Sequence, residues 1–218
     1  MTSNFEKNLE KYAEVVLKVA INLQPGQRLL IGAPSYTILG VPLELAPLIR
    51  FITKKAYQMG ARFVDVMWED DRINLICFQY APKDSLEECP SWRTEEAIKH
   101  AKGGEAILFI NSFEPDFFNG IDIKLISKSA GARLKYYKPL LDLRHKNAMN
   151  YTLIAPPISG WADKVFPNIA QKEQIEKLWE TMFEICRIKQ PDPISAWRNH
   201  INQLQSRCSY LNEKQYSA

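Results

Sequence analysis

Between residues 24 and 68 the apolar positions form two short continuous runs separated by a helix-period stretch. The first run, residues 28–32, fits a fully buried strand. A turn at Pro25-Gly26 precedes it, and a loop over residues 34–41 follows. Leu45, Leu48, Ile49, Ile52 and Ala56 then share one helical face. Pro42 is expected in the first turn of that helix, where its missing N–H costs nothing. Gly60 closes the helix as its C-terminal glycine, and residues 62–68 return as a second strand. A strand, a crossover helix and a second strand imply a right-handed parallel pair.

The same reading extends in both directions. Upstream, Leu9, Tyr12, Val16, Val19, Ala20 and Leu23 lie on one stripe of a first helix, capped by Ser3 or Asn4 and ended by Pro25-Gly26. Downstream, Glu69, Asp70 and Asp71 cap a helix over residues 73–80. Residues 82–92 are irregular, with a short helical turn at 85–88. A helix beginning at Thr94 ends at Gly103-Gly104. Residues 106–110 are the most apolar strand of the chain. After a loop over 111–120, Asp122 caps a helix towards Ser129, resumed over 132–137 and interrupted at Pro139. Residues 151–155 form a fourth strand, stopped by Pro156-Pro157. Ser159 caps a short helix towards Val165. A strong amphipathic helix over 172–188 carries Ile175, Leu178, Trp179, Met182, Phe183 and Cys186, and a last helix over 194–211 carries Trp197, Ile201, Leu204 and Cys208. The βα alternation predicts an α/β fold: a layered, mainly parallel, Rossmann-like sheet flanked by helices, with a C-terminal helical segment, in one domain over residues 1–218.

Composition adds limits. Hydrophobic residues make up 46% and charged residues 24%, ordinary values for a water-soluble globular chain. The net charge of +3 is too small to point to nucleic acid or an anionic membrane. No apolar run approaches the ~20 residues that span a bilayer, and the first residues lack the apolar core of a signal peptide. A cytoplasmic location is the expectation. Cys77, Cys89, Cys186 and Cys208 are scattered, without metal-ligand spacing, and are expected to be free thiols.

Signatures of catalysis are missing. Gly32 and Gly40 flank the loop after the first strand, but neither a dinucleotide fingerprint nor a P-loop is present. His100, His145 and His200 are far apart and read as surface or helix-end residues. No nucleophile elbow occurs. Glu69, Asp70 and Asp71 are the best carboxylate cluster, with helix capping as the plainer role. The basic run Lys124, Lys128, Arg133, Lys135, Lys138, Arg144, Lys146, interleaved with Tyr136 and Tyr137, reads as a solvated helical face rather than a nucleic-acid surface. Trp92, Arg93 and Trp161 could anchor a groove or an interface, and a core role is the simpler reading.

The order of several segments resembles a known family. The start at Phe5–Val16, then Gln24–Ile31, then Ala56–Asp71 are similar to the thermophilic-type metalloaminopeptidases, the aminopeptidase T and aminopeptidase S family. Pro90–Arg93, Trp161–Pro167, Glu176–Glu180, Pro191–Trp197 and Tyr210–Tyr216 follow in the same order. The resemblance spans all 218 residues but about the first half of a family member. It implies removal of N-terminal amino acids from small peptides by a full-length relative. Two divalent ions (zinc, cobalt or magnesium-like) would there bind the free amine, polarise the scissile carbonyl and lower the pKa of an attacking water. The ligands of that centre lie in the second half, so no catalytic or metal-binding residue carries over to this chain, no cofactor is expected in it, and its substrate-binding residues are unknown. By this resemblance the domain is inactive alone, covers the catalytic cavity and supports a homodimer. Two rival readings stay open: a free-standing small-molecule or nucleotide binder, with its ligand near residues 32–40 or 111–120, and a self-associating module pairing through the helices of residues 172–211.

Overall fold

The computed structural model describes residues 4–35 and 40–216. Four strands, β1 (Arg28–Ile31), β3 (Phe63–Val66), β5 (Ala106–Ile110) and β6 (Tyr151–Ile154), form one parallel sheet in the order β3-β1-β5-β6. Leu29 is in register with Val64 on one side and Ala106 on the other. Leu29, Leu30 and Ile31 have no exposed surface, because helices cover both faces. Each such side chain contributes about 1.5–3 kcal/mol on burial.

Strand alternation sorts the core into two layers. Leu29, Ile31, Leu108 and Ile110 pack with the helices α1 (Asn4–Val15), α2 (Ala46–Gln58) and α7 (Gln171–Ile185). Leu30, Ile107 and Phe109 face the other way, onto Ala97 and Ala101 of α4 (Ser91–Lys102) and Tyr137 and Leu140 of α5 (Ile123–His145). Two further helices, α3 (Asp71–Tyr80) and α6 (Ser159–Val165), lie in the connections. The last, α8 (Pro193–Lys214), is capped by Asp192, which accepts from the N–H of Ile194 and of Ser195 at 3.1 Å.

Several elements depart from the expectation. The 62–68 run splits, and Trp68–Glu69 forms a separate strand β4 that pairs with β2 (Val41–Pro42) in a small second sheet. Pro42 therefore sits in a strand, a 3-10 turn occupies Leu43–Leu45, and Pro47 holds the first turn of α2. Pro139 does not interrupt α5, which runs unbroken as one helix of 23 residues. The first helix changes to a π-turn at Val16–Ala20. The added residue shifts the buried face within and beyond the turn, where Leu17 is buried and Ala20 is exposed. Ser159 does not cap α6 with its own side chain; Glu44 does so from outside. Ser3 and residues 36–39 lie outside the described residues. The four cysteines are free thiols, and no described helix is long and apolar enough to cross a membrane.

Candidate functional site

In an open parallel sheet, ligands settle beyond the carboxyl ends of the strands where the connections diverge to opposite sides. Here that point lies between β1 and β5, from which the chain goes on to β3 and β6 respectively. Gly32 ends β1 with φ +77°, and its N–H donates to the Leu108 carbonyl at 2.8 Å. A Cβ on Gly32 would meet the Met67 carbonyl oxygen at 2.7 Å, and one on Gly40 would meet the same oxygen at 2.7 Å. Both glycines thus serve the close crossing of β2 over the sheet, where the Val41 N–H donates to Met67 at 2.8 Å, and not a phosphate cradle.

Two neighbouring depressions at this edge share Pro42, Glu69, Asp71 and Phe117. The larger, about 770 Å³, is acidic: Glu69, Asp70 and Asp71 are joined there by Glu44, Glu114, Asp116 and Asp163. The sequence reading found the first three and missed the others, which come from segments distant in the chain: the 3-10 turn before α2, the loop after β5, and α6. Asp70 caps α3, accepting from the Arg72 N–H at 2.9 Å. Glu44 accepts from the Ser159 N–H at 2.9 Å and from its hydroxyl at 2.5 Å. Asp116 pairs with Lys164 at 2.7 Å. Burial pushes the Asp71 carboxyl up, against the Glu114 N–H donated to it, and Asp70 pushes it further. Glu114 is likewise raised by burial, with Asp116, Asp71 and Asp163 as neighbouring charges.

A raised carboxyl pKa means that the folded state holds more proton than the unfolded one. Stability then falls as pH rises from the unfolded pKa through the folded one. Asp71→Asn is therefore expected to raise the melting temperature at about pH 7. It should give no gain near pH 3, below the ordinary aspartate range of about 3.9, where the native carboxyl is already protonated. Thermal melts across that interval check it; a gain constant with pH would mean the charge is not its source.

The smaller cavity, about 140 Å³, lies beside the first. Glu69, Asp71, Arg133, Phe78, Phe113 and Phe117 are among the residues that line it. Arg133 is not part of a solvated face. Ser129, Arg133, Tyr137, Leu140 and Arg144 fall on one stripe of α5, and Ser129, Tyr137 and Leu140 are buried. That spacing was the legible signal for turning Arg133 inward. Arg144 on the same stripe donates to the Tyr137 hydroxyl at 2.6 Å and lies over the Phe109 and Tyr151 rings.

The carboxylates do not converge on a cation. Among the described residues no group of three His, Cys, Asp and Glu side chains could hold a metal ion. His100 is buried in α4 against Glu96, His145 is exposed at the end of α5, and His200 lies against the Trp197 ring. A divalent pair therefore does not fit the described donors. Trp92 is exposed with Arg93 over its ring, and Trp161 packs on the core.

The family model described as thermophilic metalloprotease (M29) matches residues 5–218. Aminopeptidase 2 of Geobacillus stearothermophilus is 40% identical over 217 residues, and Aminopeptidase T of Thermus thermophilus 30% identical over 214. Each alignment takes in 98% of this chain and 50% of the relative, so the chain spans about half the length of the curated relatives it matches. The solved structure of wild-type AmpT from Thermus thermophilus superposes with a TM-score of 0.87 at 28% identity, over 97% of this chain and 50% of that one. With its four-stranded parallel sheet and a match running almost from end to end, the chain belongs to the thermophilic metalloprotease (M29) family.

Proposed function

We propose that this chain is the N-terminal, non-catalytic half of a metal-dependent aminopeptidase. Its part in releasing N-terminal amino acids from small peptides is to wall the cavity of the catalytic half. The observation that carries this is a pairing of two facts. The whole chain aligns with half of each aminopeptidase, and its described residues offer no metal-donor group. A second role as a pairing surface is favoured by α8. Pro193 is buried and Ile194, Trp197 and Ile201 are partly buried, yet Leu204, Cys208 and Leu211 continue the stripe of Trp197 and Ile201 into solvent.

The chain alone, with zinc or cobalt added, is expected to hydrolyse an aminoacyl-nitroanilide no faster than the metal blank. Mixed with the separately expressed second half of Aminopeptidase 2, it should raise that half's turnover. Robust turnover by this chain alone would overturn the reading. The same preparation is expected to sediment as a dimer, and a monomer would remove the pairing role.

A further inference from the structure

The small cavity beside the acidic depression has the polarity of a specific ligand. Part of its lining is aromatic: Phe78 is buried and meets Phe117 at 6.4 Å and Phe118 at 5.9 Å between ring centroids. Phe113, also in the lining, is 49% exposed. Arg133, Glu69 and Asp71 line this same space of about 140 Å³, and Arg133 is close enough to Glu69 for their charges to interact.

Arg133 is the unusual member. Its hydrogen bond goes to the neutral Ser129 hydroxyl at 3.1 Å, and among the described residues it makes no ion pair within 4.0 Å. Buried guanidinium groups are ordinarily matched by a carboxylate, because the charge is costly to desolvate alone. Burial indeed pulls the Arg133 pKa down, and the Glu69 charge offsets this only in part. A ligand carboxylate would supply the match in a bidentate geometry that arginine favours. Asp71, also in the lining, is half-buried and its charge is repelled by Asp70. A ligand ammonium group would relieve that repulsion. The volume is well below the roughly 300–1,000 Å³ of drug-sized pockets, so one residue fits and a peptide does not.

We propose that this cavity binds a free apolar α-amino acid as its zwitterion, the carboxylate on Arg133, the ammonium group towards Glu69 and Asp71, and the side chain among the phenylalanines. The site lies within the described residues of this chain, and its chemistry stands apart from the aminopeptidase reading. If that reading holds as well, the ligand is of the class that the reaction releases, and the site is one for product.

The test uses the full chain and isothermal titration with L-leucine, 4-methylpentanoate and L-leucinamide. Leucine is expected to bind saturably in the millimolar range. The acid without its amine and the amide without its carboxylate should each bind about tenfold or more weakly, the loss for one charge-assisted hydrogen-bonded group. Arg133→Met should weaken leucine by a similar factor while leaving binding of leucinamide unchanged. Because that variant could fold poorly, the ligand series on the native chain decides independently. No saturable binding of leucine, or equal binding of the three ligands, would overturn the proposal. Neither result depends on peptidase activity, so it leaves the assignment of the chain as the non-catalytic half untouched.

Discussion

Phe183→Ala is expected to destabilise the protein by about 3–5 kcal/mol. Phe183 is fully buried in α7. Its ring lies 5.7 Å from that of Phe5 and 5.3 Å from that of Trp179, while Trp179 meets Phe5 and Tyr12 at 6.0 Å each. These four rings latch α7 to α1 over the sheet face built by Leu29, Ile31 and Leu108. Truncation removes the transfer free energy of the ring and leaves a cavity, because neighbours fixed by their own packing collapse only partly. For a chain of this size each kcal/mol moves the melting temperature by about 2–4 °C, so a drop of roughly 6–20 °C is expected. Urea unfolding followed by circular dichroism measures the cost directly. Ile185→Ala on the same helix is the control: Ile185 is 64% exposed, and its change should stay within about 0.5 kcal/mol. Similar losses from both variants would show that α7 is not docked as described.

Gly32→Ala is expected to cost about 3 kcal/mol or more, and Gly26→Ala only about 1–2 kcal/mol. Both glycines have positive φ, +77° and +84°, so alanine incurs the left-handed penalty at each. They differ in surroundings. A Cβ on Gly26 meets nothing within 4 Å, whereas one on Gly32 falls 2.5 Å from Val41 Cγ2 and 2.7 Å from the Met67 carbonyl oxygen. The side chain of Val41 could turn aside, but the carbonyl is backbone, held by the Val41 N–H. Relief requires lifting β2 from β4 at the rim of both depressions. The difference between the two variants, read from chemical denaturation, isolates that crossing from backbone preference. Equal costs would place the glycine requirement in conformation alone.

How much of this was legible in the sequence varies with the range of the interaction. The run 28–32, the helical face of Leu48, Ile49, Ile52 and Ala56, and the aspartate caps at Asp70 and Asp122 rest on local periodicity and on side-chain to backbone bonds two residues away. Those were read correctly from the chain. Pro139 was misread because its local penalty is real but is outweighed where the flanking turns bury Tyr137 and Leu140. The π-turn at Val16–Ala20 was invisible to a 3.6-residue period, which it breaks. The split of residues 62–68 follows from Val41 pairing with Trp68, a contact 27 residues apart that no local pattern encodes.

Local chemistry of the chain by itself determined the βα alternation, the sheet strands and most helix faces, because each depends on neighbours within a few residues. The order of its segments, matched to those of related chains, determined the family. Only the tertiary structure decided the candidate sites. β5 lies beside β1, and this brings Glu114 and Asp116 to the rim already carrying Glu69, Asp70 and Asp71. α5 packs across β5, and this turns Arg133 from a basic stretch into a cavity among phenylalanines. Charge and aromatic rings gain a shared function when distant strands bring their ends together, and that proximity belongs to the sheet order rather than to any one segment.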